Sequence, residues 1–388
     1  MAEGYRPRMP TSSLRPEHRA VLRELLSAPV RSKAELAAAT GWARNTIAQR
    51  LDELVESGWV QEEPAARGGL GRPSARFSLR VDQRLVHVAH FGRDQLDASL
   101  VTLHGDVIAS RRVPVDLSQG PEAAAHTAAE SLADLRADVS AAAEDIALCV
   151  IGVASPVDQR RRAINPISEP GWFGLDIVET FGTALGLPVL AENDANLMAM
   201  GTAARGDAGE AVIFVKVAQG IGAGTVIDGR LRRGMRGLAG ELGHVPVPRA
   251  AGVPCTCGNE GCLATIAALG PIVEGLRGSG VEIPAHERFW ELAAAADPTV
   301  VSAIRQAGRD IGQALVGVAT AIAPERIVLG GRLATVGEHL TAGVREALFG
   351  RVLPDMTVGL TVNSCPDHDL AAARGAAVLA QDWVLAEG

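Results

Sequence analysis

Residues able to do chemistry are densest between Gly240 and Leu263. The stretch reads Gly-Glu-Leu-Gly-His, a ten-residue spacer, then Cys-Thr-Cys-Gly-Asn-Glu-Gly-Cys-Leu. Three of the five cysteines, Cys255, Cys257 and Cys262, fall within eight residues, with His244 just upstream. Soft thiolates and one imidazole make a tetrahedral set that suits zinc. Four protein ligands leave no position for water or substrate, so the spacing predicts a structural ion rather than a hydrolytic one. Gly258 and Gly261 let the short loop turn back so that Cys262 reaches the same ion. Glu241, three residues before His244, is then braced through the backbone. The competing reading is a disulfide between two loop thiols beside an unattached histidine. Against it, the cysteines cluster in a glycine-rich loop, while Cys149 and Cys365 stand alone.

The rest of the chain must position that loop and whatever it braces. At 388 residues there is room for two or three domains. No run of eighteen apolar residues exists, so no membrane span is expected. Met1 to Ser13 is polar, lacks an apolar signal core and is expected to be disordered. These features predict a cytoplasmic protein, where unpaired thiols can hold metal. Residues 1–80 carry 13 basic and 9 acidic side chains, a net of about +4, while the whole chain is −8, which leaves about −12 on residues 81–388. A basic start on an acidic body places any nucleic-acid contact at the N-terminus.

That first segment reads as three helices and two strands. Arg15 to Ser27 has Val21, Leu22, Leu25 and Leu26 at helical spacing. Ser32-Lys-Ala-Glu35 is a capping box opening a short helix, and Gly41 supplies the turn. A third helix, from about Ala43 to Ser57, buries Ile47, Leu51 and Leu54. Its outward front carries Arg44, Asn45, Thr46, Gln49 and Arg50, the side-chain types that pair with base edges or phosphates. Trp59 to Gln61 and Arg76 to Leu79 read as strands flanking a Gly- and Pro-rich wing, where Arg67 and Arg72 would enter a minor groove or grip phosphates. Together these make a winged helix-turn-helix over residues 14–80. A small helical oligomerisation module is the competing reading.

The body predicts an α/β fold. A hairpin is expected across Leu85–Leu103 and Val107–Val113, turning at His104-Gly105-Asp106. Helices are expected over Pro121–Ala137 and Leu175–Leu185, and strands over Ile146–Ala154, Pro188–Ala191 and Ala211–Val217. Gln219 to Gly224 reads as a glycine loop, and Arg326 to Gly331 as a strand and tight turn.

Glu-x-Gly-His followed by Cys-x-Cys-Gly-x-x-Gly-Cys-Leu resembles the zinc signature of the ROK family, which groups repressors, uncharacterised frames and sugar kinases. The N-terminal order of elements also resembles the winged helix that ROK repressors carry and ROK kinases lack. The resemblance implies a two-lobed, actin-like (ribonuclease-H-like) domain over residues 81–388. Lobe 1 would take about 81–200 plus the C-terminal helix, and lobe 2 about 201–370. It implies zinc on His244, Cys255, Cys257 and Cys262, and a sugar held by Asn165, Asn193, Asp194, Glu241 and His244. Asp194, in Glu-Asn-Asp-Ala-Asn, matches the general base of the kinases; from the residues alone it reads equally as a helix cap. Trp172 would stack on a pyranose ring or serve the core.

Departures from the family pattern fall mainly on the phosphate side. Where kinases carry Asp-x-Gly-Gly-Thr, this chain has His90-Phe-Gly-Arg-Asp94. Gln219 replaces a threonine in the second glycine motif. Arg332 follows Gly330-Gly331 where a small residue is usual. On the sugar side, Ala264 replaces a glutamate. The resemblance therefore implies no kinase activity, with Asp194 a vestigial base. It implies a cytoplasmic, nucleoid-associated regulator, a repressor by preference, sensing a sugar or sugar derivative. Its partners would be a palindromic double-stranded DNA operator and copies of itself as a homodimer or homotetramer. The alternatives are an active sugar kinase with an appended DNA module, and a regulator whose body only dimerises.

Overall fold

The computed structural model describes residues 14–28, 30–63, 75–80, 84–158, 160, 163, 171–206 and 209–386. The N-terminal unit runs α1 (Pro16–Ser27), β1 (Arg31–Ser32), α2 (Lys33–Thr40), α3 (Arg44–Glu56), β2 (Val60–Glu63) and β3 (Arg76–Leu79). The Ser32 box forms as read: Ser32 Oγ accepts the Glu35 N–H at 3.3 Å, and the Glu35 carboxylate accepts the Ser32 N–H at 2.6 Å. Gly41 then ends α2 at φ 72°, a left-handed conformation that glycine adopts freely. Val21, Leu22, Leu25, Leu36, Ile47, Leu51, Leu54 and Phe77 fill the core. The strands pair antiparallel in the order β1-β3-β2, so a short strand before α2 joins the two expected ones. The wing tip with Arg67 and Arg72 lies outside the described residues.

Two five-stranded sheets build the body. The first comprises β4 (Leu85–Phe91), β5 (Gln95–Val101), β6 (Val107–Pro114), β7 (Ile146–Val153) and β8 (Val189–Asn193), with α4 (Pro121–Val139) and α5 (Ile177–Leu185) between strands. After α6 (Asp194–Ala203) comes the second: β9 (Ala211–Val217), β10 (Ile221–Ile227), β11 (Arg230–Leu231), β12 (Arg326–Gly330) and β13 (Thr361–Ser364). Helices α7 (Ala264–Ala267), α8 (Leu269–Gly278), α9 (His286–Ala294), α10 (Pro298–Ile322) and α11 (His339–Phe349) belong to this half, and α12 (His368–Ala386) closes the chain. The orders are β6-β5-β4-β7-β8 and β11-β10-β9-β12-β13. Numbered within its own half, each sheet reads third, second, first, fourth, fifth, an antiparallel meander followed by parallel crossovers.

Two expectations change. The run 85–103 is not continuous: it breaks at residues 92–94 into β4 and β5. Nor are Gly222 and Gly224 in a loop, since both lie inside β10. A Cβ on Gly224 would sit 2.5 Å from the Ala195 carbonyl oxygen, so the glycine admits α6 against the strand. Only residues 218–220 turn.

Helices α6 and α12 pack backbone to backbone. Cβ atoms on Gly201 and Gly375 would fall 1.9 Å and 1.8 Å from the carbonyl oxygens of Ala371 and Leu197. One apolar core unites this pair with the first sheet and the winged helix, running from Val21 and Leu54 to Ala376 and Val384. Among the described residues, no helix is long and apolar enough to cross a membrane.

Candidate functional site

Strand β8 runs two residues further than its apolar pattern suggests and delivers Glu192, Asn193 and Asp194 to the junction between the sheets. The helix cap is Asn193, not Asp194: Asn193 Oδ1 accepts the Asn196 N–H at 3.1 Å, and its Nδ2 donates to the Ser155 carbonyl at 3.2 Å. Asp194 is buried at 3 % exposure. Its Oδ1 accepts the Ala195 N–H at 2.7 Å. Its Oδ2 is taken by the Lys216 ammonium from β9. His90 Nε2 approaches the same oxygen at 3.7 Å, close enough to feel its charge and too far for a hydrogen bond. Burial pushes this carboxyl up, but Lys216 and His90 outweigh it and hold Asp194 down to about 2. Lys216 is one of only two lysines in a chain that otherwise uses arginine, yet its strand position gave no sequence signal.

Glu192 is equally buried, at 4 %. One oxygen accepts the Asn193 N–H and Asn196 Nδ2, both at 2.9 Å, and the other accepts Arg233 Nε at 2.6 Å. Asp194 also reaches Glu241. Burial first, and Asp194 second, raise the Glu241 carboxyl to about 6. Glu241 Oε2 lies 3.8 Å from His244 Nε2. Asn193 and Asp194 stand on one side of this group, and Glu241 with His244 on the other, each with donors or acceptors that can bond hydroxyls. Asn165 lies outside the described residues. Trp172 serves the core: it is 7 % exposed, its ring centroid is 6.1 Å from those of Phe91 and Phe181, and its Nε1 donates to the Leu117 carbonyl at 3.3 Å.

The metal loop converges as the spacing requires. Ligand atoms of His244, Cys255, Cys257 and Cys262 all lie within 4.8 Å of one another. Cys255 Sγ is 3.7 Å from His244 Nδ1, and Cys257 Sγ is 3.7 Å from Cys262 Sγ. Thiolates about 2.3 Å from a tetrahedral ion stand about 3.8 Å apart, so the donor set fits a zinc-like cation. All five cysteines, Cys149, Cys255, Cys257, Cys262 and Cys365, are free rather than disulfide-bonded. The imidazole points Nδ1 at the thiols and Nε2 at Glu241, so one side chain serves both groups. Arg249 anchors the loop to α10 through the buried Asp310, with Nε 2.9 Å and Nη2 2.5 Å from Oδ2.

The positions that depart from the family's phosphate motifs lie as follows. Gln219 and Asp94 are exposed on turns. The Arg332 guanidinium lies over the Trp290 ring, 4.2 Å from its centroid. His90, Asp97 and Asp369 also bring ligand atoms within 4.8 Å of one another. Their charge is already met, because Arg112 donates to Asp97 at 2.6 Å and to Asp369 at 2.8 Å.

On the winged helix, Arg44, Asn45 and Gln49 are exposed and Thr46 is half-buried. Arg50 departs from the outward face predicted for it. Its side chain is 15 % exposed and its Nη1 donates to both Glu53 oxygens, at 3.0 and 2.8 Å. Glu53 also accepts from Arg15 at 2.6 Å, pairs with His18 Nε2 at 2.7 Å and takes the Gln49 amide at 3.3 Å. His18 first, then Arg50 and Arg15, hold the Glu53 carboxyl down to about 2. Helical spacing alone could not reveal that Arg50 has a partner one turn away backed by α1. A surface depression lined by Ser32, Lys33, Arg44 and Asn45 sets the half-buried Lys33 beside Arg44, a residue that the capping-box reading had treated only as helix.

Comparison with known proteins agrees with this architecture. Residues 88–383 match the ROK family, and residues 18–61 match a winged helix-turn-helix DNA-binding family. A glucokinase of Halalkalibacterium halodurans is 24 % identical over 284 residues, covering 69 % of this chain and 86 % of the relative. A xylose repressor of Caldicellulosiruptor bescii is 24 % identical over 374 residues, 92 % of each chain. The crystal structure of a ROK family transcriptional regulator, a homologue of the E. coli MLC protein, superposes with a TM-score of 0.78 at 22 % identity, over 95 % of this chain and 97 % of that one. The fold is therefore a winged helix-turn-helix joined to an actin-like ROK body.

Proposed function

The chain belongs to the ROK family, and from that premise we propose that it is a DNA-binding transcriptional repressor whose body senses a sugar or sugar derivative without phosphorylating it. The observation that carries this reading is the front of α3, where Arg44, Asn45 and Gln49 stand exposed on a fully packed winged helix. Such side chains reach base edges when the helix enters a major groove. The xylose repressor, similar over nearly its whole length, supports the same assignment. In this reading residues 14–80 bind DNA, and residues 81–388 form the two-lobed sensor, with lobe 1 about 81–200 plus the C-terminal helix and lobe 2 about 201–370. The protein acts in the cytoplasm on the nucleoid, as a homodimer or homotetramer on a palindromic operator.

The sugar site is Asn193, Asp194, Glu241 and His244, with Asn165 completing it. Zinc on His244, Cys255, Cys257 and Cys262 keeps Glu241 in place and takes no part in chemistry. Asp194 is unfit as a general base, because a base needs an available lone pair and a pKa near the working pH. Its outer oxygen is covered by Lys216, and its carboxyl is held at about 2. Arg332 on Trp290 and the exposed Gln219 and Asp94 leave the nucleotide side without its usual groups.

The test is selection of genomic fragments by the purified protein, then shift assays at one fixed salt concentration, since phosphate contacts dominate affinity. The expected result is an enriched palindrome. Arg44→Ala should weaken its binding by about 1–3 kcal/mol. Salt-sensitive binding with no sequence preference would sink the repressor reading. Turnover of ATP with glucose, xylose or N-acetylmannosamine, abolished by Asp194→Asn, would instead establish a kinase.

A further inference from the structure

The acidic body carries a local excess of positive charge where α10 crosses α11. The two helices touch backbone to backbone: Cβ atoms on Gly308 and Gly343 would each lie 2.2 Å from a carbonyl oxygen of the other helix, those of Leu340 and Arg305. Beside this crossing is a cavity of about 260 Å³. It is lined by Gln306, Arg309, Asp310 and Gln313 of α10, by Glu346 of α11 and by Arg351 just after it. That volume suits a ligand smaller than those held by ordinary deep pockets.

Four guanidiniums serve this place against two carboxylates. Arg249, from the metal loop, takes both oxygens of the buried Asp310, and the Gln306 amide donates to one of them at 3.2 Å. Asp310 is therefore neutralised from within. Arg305 and Arg309 share Glu346, at 3.3 and 3.5 Å. Arg309 also donates to Gln306 Oε1 from Nε at 3.0 Å and from Nη2 at 2.6 Å, which fixes its fork at the cavity wall. Arg351 has no carboxylate partner among the described residues. Its Nη1 donates to the Ala347 carbonyl at 3.0 Å, one of five N–H donors on the group. The Gln313 amide makes no hydrogen bond among the described residues. Two positive charges are left over, together with unspent donors.

We propose that the cavity between α10 and α11 binds a phosphate group, as inorganic phosphate or as a small phosphate monoester, with Arg309, Arg351 and Gln313 donating to its oxygens. Planar guanidinium forks match phosphate oxygens in geometry. Phosphate is close to a dianion at neutral pH, so its charge equals the excess, which a single carboxylate would only half meet. The site shares no residue with the cleft at Asn193 and Glu241, so it stands whether or not that cleft holds a sugar. It does adjoin the metal loop, because Arg249 anchors that loop on Asp310 in the cavity wall.

The test is calorimetric titration of the full chain with inorganic phosphate and with glycerol 3-phosphate at one ionic strength, with glycerol and sodium chloride as controls. Both phosphates should bind and raise the melting temperature, and the controls should do neither. Arg351→Gln and Arg309→Gln should each weaken binding about tenfold or more, the loss of one charge-assisted hydrogen bond. Gln313→Glu should weaken it as much by adding a negative charge to the lining. Arg44→Ala, on the winged helix, should bind like the wild type. Tighter binding of the ester would identify it as the natural source, and tighter binding of inorganic phosphate the free ion. No binding to the wild type overturns the site. So does loss of binding in Arg44→Ala, which would move the phosphate to the winged helix. Unchanged affinity in Arg351→Gln and Gln313→Glu overturns it as well, and Arg351 is exposed, so that variant does not depend on repacking the core.

Discussion

Two clusters of ionisable side chains meet at the cleft, and they solve the same electrostatic problem in opposite ways. In the metal loop, three thiols and an imidazole converge within 4.8 Å with no protein cation among them. At Asp194, a carboxylate more deeply buried than three of those four donors is closed by Lys216 from the neighbouring sheet. The first arrangement could hold an imported cation; the second carries its own. In the one the donors stay free of a protein cation, whereas in the other a side chain fills that place. His244 joins the two, turned toward the thiols at one nitrogen and toward Glu241 at the other.

The contrast is easiest to break at the metal loop. Cys257→Ser, or a chelator, should lower stability on the order of 4 kcal/mol, a drop of about 10 °C in Tm. Metal analysis of the purified protein should find close to one zinc per chain, lost in the variant. Full stability without metal would put the loop in the same class as Asp194.

Lys216→Met attacks the other side. It leaves Asp194 buried without its cation and should cost about 3 kcal/mol at neutral pH. The pH dependence identifies the cause. In the wild type the folded pKa is depressed to about 2, so the stabilisation is complete above the ordinary value of about 3.9 and lost as pH falls toward 2. In the variant, burial dominates and the folded pKa lies above the unfolded one. Asp194 then destabilises at neutral pH, and acidification relieves it. Denaturant midpoints from pH 3 to 7 would show the loss for wild type and the relief for the variant; parallel curves would refute the assignment.

Arg249→Ala should have a smaller effect, about 2 kcal/mol, by leaving Asp310 with only the Gln306 amide. Zinc content should stay intact while the melting temperature falls, separating anchorage of the loop from ligation. The smallest change is expected for His90→Gln, within about 1 kcal/mol. Neither His90 ring nitrogen has a hydrogen bond among the described residues, and of the two groups that lower the Asp194 carboxyl Lys216 comes first. A larger loss in melting experiments would show that His90 carries more of that charge balance than Lys216 leaves to it.

What the sequence revealed follows from how local each cause was. Ser32 and Glu35 stand three residues apart, with Gly41 six further on, so the three helices of the winged unit were legible, while the short β1 was not. The metal loop was legible because its four donors lie within nineteen residues. Gly222 and Gly224 were misread as a loop because their reason is a helix that comes earlier in the chain, pressed onto the strand at Ala195. Lys216 was missed because its partner stands across the sheet junction, and a lysine in an apolar strand carries no periodic mark. Arg50 was misplaced for a similar reason: its outward register is correct, but Glu53, reinforced by His18 and Arg15, draws the side chain back.

The packing of α12 also sets the order in which this protein can be finished. Ala371, Ala376 and Val384 enter the same core as Val21, Leu22 and Leu54, and Gln381 donates to the Leu103 carbonyl at the far end of β5. The first helix made therefore meets its α12 surface only after more than three hundred further residues have been synthesised. During that interval the winged unit lacks the α12 side of the core that it shares with the body. Only the arrival of the last helix completes that shared core and seats the winged unit on the body.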